Sequence, residues 1–281
     1  MKIGLFYNNN PGTVGEYFAR ALAAEGLSLM HTTTAGAERC PGGADVYLRI
    51  DHGDYTYGLP PRFRPVAFYV VDTHLAKSWR NIRTEAPRYD AIFCAQRRAA
   101  ARLPRATWVP LGCDEELHRA AGRADRYDLA FVGNDGGVPR KFLLQALRER
   151  YPRSFIGQAP WTEMASIYGA ARIGVHYIFC TSPLKDHVSM RAYEVLAAGA
   201  MLLANEVEAG AFEAVGLEPG RHLVLYRDAR ELFTQIDYYL AHEAERARIA
   251  AAGQTIVLAS HTYRHRARMM LPVLARLAGR A

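Results

Sequence analysis

Short, nearly continuous apolar runs alternate along the chain with longer stretches whose apolar residues recur every third or fourth position. The runs "KIGLFY", "LSLMHT", "ADVYLRI", "RPVAFYVV", "YDAIFCA" and "TWVPLG" predict strands in the first half. "DLAFVGN", "SFIGQ", "RIGVHYI", "AMLLAN" and "HLVLY" predict strands in the second. Their lack of polar alternation suits parallel sheets covered on both faces. Helical spacing predicts helices over "EYFARALAAEG", "KFLLQALRERY", "TEMASIYGAA", "MRAYEVLAAG" and "RELFTQIDYYLAHEAERARIAAAG". A last helix, "HTYRHRARMMLPVLARLAG", contains Pro272, which is expected to kink or restart it.

The alternation pauses at the polar stretch "DEELHRAAGRADRY" and then restarts as strand, loop and helix. Two α/β halves joined near residues 113–126 are expected, each a doubly wound parallel sheet. In such sheets ligands bind outside the carboxyl ends of the strands, so the loops there, facing a cleft between the halves, are where function is sought.

Composition changes this picture little. The 281 residues are half hydrophobic and 22% charged, ordinary for a globular chain with room for two modest domains. No apolar run approaches the ~20 residues of a membrane span. "MKIGLFYNNN" turns polar too soon for a signal-peptide core and reads as the first strand, so a cytoplasmic chain is expected. Cys40, Cys94, Cys113 and Cys180 are far apart and read as buried free thiols rather than zinc ligands or a disulfide framework. The net charge of +7 and pI of about 9.3 favour an anionic partner. The cations are spread along the chain without interleaved basic and aromatic patches, so a small phosphorylated ligand is expected and nucleic acid is not.

Four stretches carry candidate chemistry. In "FVGNDGGVPRKFLLQAL" a strand ends at Gly133, a glycine-rich loop follows, and Arg140 and Lys141 open a helix. Free N–H groups at a helix start, glycines and two cations together favour phosphate, although the spacing matches neither the dinucleotide fingerprint nor the P-loop. The plainer reading is a strand–helix turn with surface cations. "NNNPGTVG" is a similar loop, in which Gly12 and Gly15 flank Thr13 and Val14. It equally reads as a turn with Thr13 as helix cap.

"RIDHGDYTYG" and "YVVDTHL" each place an Asp and a His just past a strand. Asp51, His52, Asp72 and His74 are therefore candidates for acid–base work or for gripping sugar hydroxyls. Alternatively Asp72 caps a helix beginning near Leu75, and His52 sits in a turn. In "SMRAYEVLAAG", Arg191 and Glu194 share one helix face. They are either a simple ion pair or a grip on a nucleotide diphosphate, with Glu194 accepting from two ribose hydroxyls and Arg191 meeting phosphate.

"YDLAFVGN…RKFLLQAL", "SMRAYEVLAAGAMLLAN" and "HTYRHRARMML", in that order, resemble the C-terminal domain of the spore-maturation (CgeB-like) glycosyltransferases, which belong with the group-1-type GT-B enzymes. "ADVYLRIDHG", "PVAFYVVDTH", "YDAIFCAQ" and "WVPLGCDEELH" are similar to the family's N-terminal half. The resemblance implies an α/β GT-B fold of two Rossmann-like, doubly wound parallel-sheet domains facing a central cleft. Residues 1–118 with the C-terminal helix 262–281 would form the acceptor-side domain, and 119–261 the nucleotide-sugar-binding domain.

The same resemblance implies sugar transfer from a nucleotide-diphosphate donor of UDP type to a glycan, protein or small molecule, with no metal and no other cofactor. Glu194 would hold the ribose. Arg140, Lys141 and Arg191 would meet the diphosphate beside the loops of Gly133 and Gly12. Asp186 would stand near the donor sugar, at the position where many relatives carry Glu. For an inverting reaction, Asp72, His74 or His52 would be the base, whereas a retaining reaction can proceed without one; the sequence leaves both open. The alternative is a non-catalytic nucleotide-sugar binding protein on a degenerate GT-B fold. A last helix crossing back to the first domain would bury Met269, Met270, Leu271, Val273, Leu274 and Leu277, with His261, His265 and Arg266 at its entry.

Overall fold

The computed structural model describes residues 1–122 and 125–279. Residues 123 and 124 of the expected joint, and 280 and 281 of the expected last segment, lie outside the described residues. The chain separates into two compact units: residues 1–111, 180–187 and 263 onward, and residues 112–179 and 188–262.

The first unit runs β1 (Lys2–Phe6), α1 (Val14–Ala24), β2 (Ser28–Thr32), β3 (Val46–Ile50), β4 (Val66–Val70), α2 (Ala76–Glu85), β5 (Ala91–Cys94), α3 (Arg97–Ala100) and β6 (Ala106–Trp108). These strands form one parallel sheet in the order β2-β1-β3-β4-β5-β6. Every residue of β3, β4 and β5 is buried, because helices cover both faces of a parallel sheet. Phe6, Phe63, Phe68, Trp79 and Ile82 fill one side. Burying each such side chain contributes about 1.5–3 kcal/mol, which is why near-continuous apolar runs suffice to specify these strands.

The second unit runs β7 (Tyr127–Val132), α4 (Arg140–Arg150), β8 (Ser154–Gly157), α5 (Met164–Gly169), β9 (Ala171–His176), α6 (Met190–Ala198), β10 (Met201–Asn205), α7 (Ala211–Ala214), β11 (Val224–Tyr226), α8 (Ala229–Ala241) and α9 (Glu243–Ser260). Its sheet is also parallel, in the order β11-β10-β9-β7-β8. In both sheets the strand order reverses beside the first strand, between β1 and β3 and between β7 and β9. Neighbouring loops leave in opposite directions at such a switch point and open a crevice over the carboxyl ends.

The last helix, α10 (Tyr263–Leu277), belongs to the first unit and packs on α1. Tyr263 meets the rings of Tyr17 and Phe18 at 5.3 and 5.0 Å. Arg264 and Arg268 both reach Glu25, at 3.1 and 2.9 Å. The helix runs through Pro272 as one element. Ala267, Met270 and Leu274 are fully buried on the turns either side of the proline. Of the apolar residues expected to bury, Met270 and Leu274 do so, Leu271, Val273 and Leu277 are half-buried, and Met269 is exposed. A helix buries one stripe, and Met269 lies off it. Arg266 is buried on the stripe and donates to the Leu111 carbonyl at 3.0 Å.

Two other expectations differ from the structure. The helix predicted over 230–253 breaks at His242, whose Nδ1 meets the Tyr238 carbonyl at 2.7 Å. The buried Arg246 donates to the Tyr239 carbonyl at 2.6 Å, so side chains satisfy the end of α8 and a new helix begins. Of the cysteines, Cys94 and Cys113 are buried, while Cys40 and Cys180 are half-buried; all four are free thiols.

Candidate functional site

At the carboxyl edge of the second sheet, α6 lies tight against β9. A Cβ on Gly174 would collide with Val195, so only glycine admits this approach. The packing brings Ser189, which precedes α6, onto His176 at the end of β9, with Oγ 2.7 Å from Nε2. His176 is 2% exposed and its Nδ1 has no hydrogen-bond partner. Burial, with Arg191 and then Arg140 nearby, lowers its pKa to about 3. Both guanidiniums therefore bear on one strand end at the switch point, from α6 and α4.

Arg140 is held by its own loop: Nη2 donates to Asn134 Oδ1 at 2.7 Å and Nε to the Asp135 carbonyl at 3.1 Å. Gly136 sits in the left-handed region (φ 60°), and a Cβ there would collide with the Arg140 guanidinium. Gly133, at the end of β7, opens this loop. Lys141 is exposed and is not among the charges acting on His176. The charges of Arg140 and Arg191 thus act on this strand end, beside the Gly133 loop.

Glu194 is 1% exposed. Its Oε2 accepts from Arg191 Nη1 at 2.7 Å, and Oε1 lies 3.6 Å from His118 Nε2. His118 Nδ1 accepts the Asp114 N–H at 2.9 Å, so the ring proton sits on Nε2 and points at the carboxylate. Arg191 also contacts the Met164 sulfur and the Tyr168 hydroxyl, which itself accepts the Val132 N–H at 2.9 Å. Arg191 and Glu194 are therefore one intrahelical pair inside a wider buried network tied to the end of β7. On the α4–α8 face a separate pocket of about 450 Å³ has apolar walls that include Phe142, Tyr177 and Phe233.

In the first unit, Asp51 and Asp72 follow β3 and β4. Asp51 accepts the N–H groups of Val71 and Asp72 at 3.1 and 3.4 Å, and Asp72 is half-buried beside it. Burial, then the Asp51 charge, raises the Asp72 pKa to about 7. Asp72 does not cap α2. The helix starts at Ala76, whose N–H is taken by Thr181 Oγ1 at 3.0 Å. His74 is buried, its ring stacked on His187 at 4.0 Å, and burial lowers its pKa to about 4. His52 meets Thr34 Oγ1 at 3.2 Å, and burial also lowers its pKa. Gly12 donates its N–H to Glu16 at 2.7 Å, while Thr13 stands at the N-cap of α1 and its carbonyl takes the Tyr17 N–H, but its hydroxyl donates to the Asn10 carbonyl rather than capping the helix.

Asp186 is not where the expected division of the chain puts it. Segment 180–187 belongs to the first unit, whereas Glu194 belongs to the second. Thr181 and Ser182 donate to the His74 carbonyl at 3.0 Å, Leu184 is fully buried in the first unit's core, and Asp186 Oδ2 accepts the Arg98 N–H at 2.8 Å. These bonds hold the segment there. His176, Ser189, His118 and Tyr55 escape a reading of sequence. Only the placement of His176 at the end of a predicted strand marks it.

The buried neutral histidines set an acid sensitivity. Unfolded imidazole protonates near 6.5, whereas folded His176 resists to about 3. The unfolded chain thus binds the extra proton between these values. Stability falls as pH drops below 6.5, by about 1.4 kcal/mol per pH unit for each such histidine. His176→Gln is expected to flatten the pH 6.5–5 slope in urea denaturation; an unchanged slope would contradict the burial argument.

A glycosyl transferase-like family matches residues 110–272. Among solved structures, HepE of Anabaena in complex with UDP and glucose is 13% identical, with a TM-score of 0.68 over 99% of this chain and 100% of that one. An α-glucosyltransferase in complex with UDP and a 13-mer DNA is 10% identical, with a TM-score of 0.73 over 98% and 99%. AviGT4, a glycosyltransferase involved in avilamycin A biosynthesis, is 11% identical, with a TM-score of 0.64 over 100% and 98%. These likenesses show that the chain has the GT-B fold. A search of curated proteins found no match.

Proposed function

Because the chain belongs to the glycosyl transferase-like family, we propose that it transfers a sugar from a nucleotide-diphosphate donor of UDP type to an acceptor hydroxyl, in the manner of the CgeB-like enzymes it resembles. The observation that carries this reading is that the charges of Arg140 and Arg191 both act on the buried end of β9, beside the Gly133 loop and the start of α6. Two guanidiniums and free helix N–H groups stabilise the negative charge that grows on a departing diphosphate, and they do so without a metal. HepE has been seen with UDP-glucose, which favours UDP as the donor's nucleotide. Glu194 is the ribose ligand in this scheme; its buried Oε1 has no hydrogen-bond partner within the protein.

Asp72 is the base. Its pKa of about 7 lets it be ionised and still proton-hungry at neutral pH, the best compromise for accepting a hydroxyl proton. His74 and His52, both with lowered pKa values, are weaker bases and serve as walls and hydrogen-bond partners. A half-buried carboxylate poised in this way favours catalysis over mere binding.

Calorimetry with UDP and with uridine tests the donor site. Arg140→Ala is expected to weaken UDP about 10–100-fold, the worth of a charge-assisted bond, and to leave uridine unchanged. Exposed Lys141 contributes only at long range, so Lys141→Ala should cost a few-fold at most. Equal losses for UDP and uridine would remove Arg140 from the phosphate site.

A further inference from the structure

We propose that Asp51 is the positioning residue of the base: it latches the exits of β3 and β4 together, fixes Asp72 at its strand end and holds a negative charge against it. The inference rests on the reading of Asp72 as the base. Asp51 is 7% exposed, and its carboxylate is fully used. Oδ2 takes the N–H groups of Val71 and Asp72, while Oδ1 takes the Gly53 N–H at 3.0 Å and the Tyr55 hydroxyl at 2.8 Å. All four neighbours are donors, the set that suits an ionised carboxylate.

A local turn would need only the bond to Gly53. The bonds to Val71 and Asp72 instead cross from one strand exit to the next, over 20 and 21 residues of sequence. They hold the Asp72 backbone directly, so the reacting carboxyl inherits its place from Asp51. The other groups around the pair are already committed. Tyr55 donates to Asp51 and also feels the Asp72 charge. His52 and Asp54 share the loop after β3, and His52 meets Thr34. Arg49 of β3 donates to Tyr89 at 2.7 Å and to the Asp54 carbonyl at 3.2 Å. Among the described residues, Asp51 is the charge that raises the Asp72 pKa, with burial as the larger cause.

The quantity to follow is the Asp72 carboxyl step, the upper one, read by carboxyl-carbon NMR on the full chain. It is followed beside the pH dependence of kcat for UDP-glucose turnover. Asp51→Asn removes the like charge and is expected to lower the upper step by about one unit, carrying the acidic limb of kcat with it. Tyr55→Phe removes one donor, leaves more charge on Oδ1, and should move both upward. An upper step unmoved in Asp51→Asn overturns the inference; if that variant fails to fold, an unmoved step in Tyr55→Phe does so. A step that moves while the kcat limb stays in place removes Asp72 as the base, and with it Asp51's part in transfer.

Discussion

Asp72→Asn is expected to cut sugar transfer by about 10²–10⁴-fold, the usual worth of a positioned base, while making the folded chain more stable at pH 8. The two effects have one cause. Burial and the Asp51 charge raise the Asp72 pKa from 3.8 to about 7. The folded state therefore holds the proton more tightly than the unfolded state, and stability is lost as pH rises through that window. Above pH 7 the ionised carboxylate is a cost to the fold. Asparagine removes it, recovering about 1–3 kcal/mol once partial exposure is allowed for. Transfer assays with UDP-glucose and urea melts at pH 5 and pH 8 check both halves. Activity within about threefold of the parent would remove Asp72 as the base, and equal stability at pH 8 would remove the poised carboxylate.

Glu194→Ala should cost the second unit about 2–4 kcal/mol, a fall in Tm of roughly 10 °C. A carboxylate that only gripped the ribose would instead lose nucleotide binding with little loss of stability. The difference comes from burial. The carboxylate is 1% exposed, bonded to Arg191 and faced by the His118 ring proton. Truncation strips Arg191 of its acceptor and opens a cavity beside Tyr168, the hydroxyl partner of Val132. Glu194→Gln keeps the shape and an acceptor for Arg191, so it should lose less. Thermal melts of both variants, with UDP calorimetry at low temperature, separate fold from ligand. A Tm within 2 °C of the parent in the alanine variant would refute the network.

The identity of nearly every strand was legible because parallel strands are buried on both faces, and burial writes itself as unbroken apolar runs such as "VAFYV". The glycine-rich loop before Arg140 and the ion pair of Arg191 with Glu194 were legible too, since both are local in sequence. What ends a helix was less so. The break at His242 depends on Arg246 turning back onto Tyr239, and no periodicity announces a buried arginine.

The amino-acid sequence by itself determined the two alternating α/β halves, the order of their elements and the residue types at the strand exits. Those follow from side-chain period and from local turn chemistry, which act over a few residues. Tertiary structure alone decided which of those residues meet. It placed Asp51 across from Val71 and Asp72, took segment 180–187 and with it Asp186 into the first unit, and set His176 against Ser189, within the field of two guanidiniums. Each of these depends on bonds spanning many residues and on the low dielectric of a packed interior. Charge and burial there shift a carboxyl or an imidazole by several pH units, whatever its neighbours in the chain.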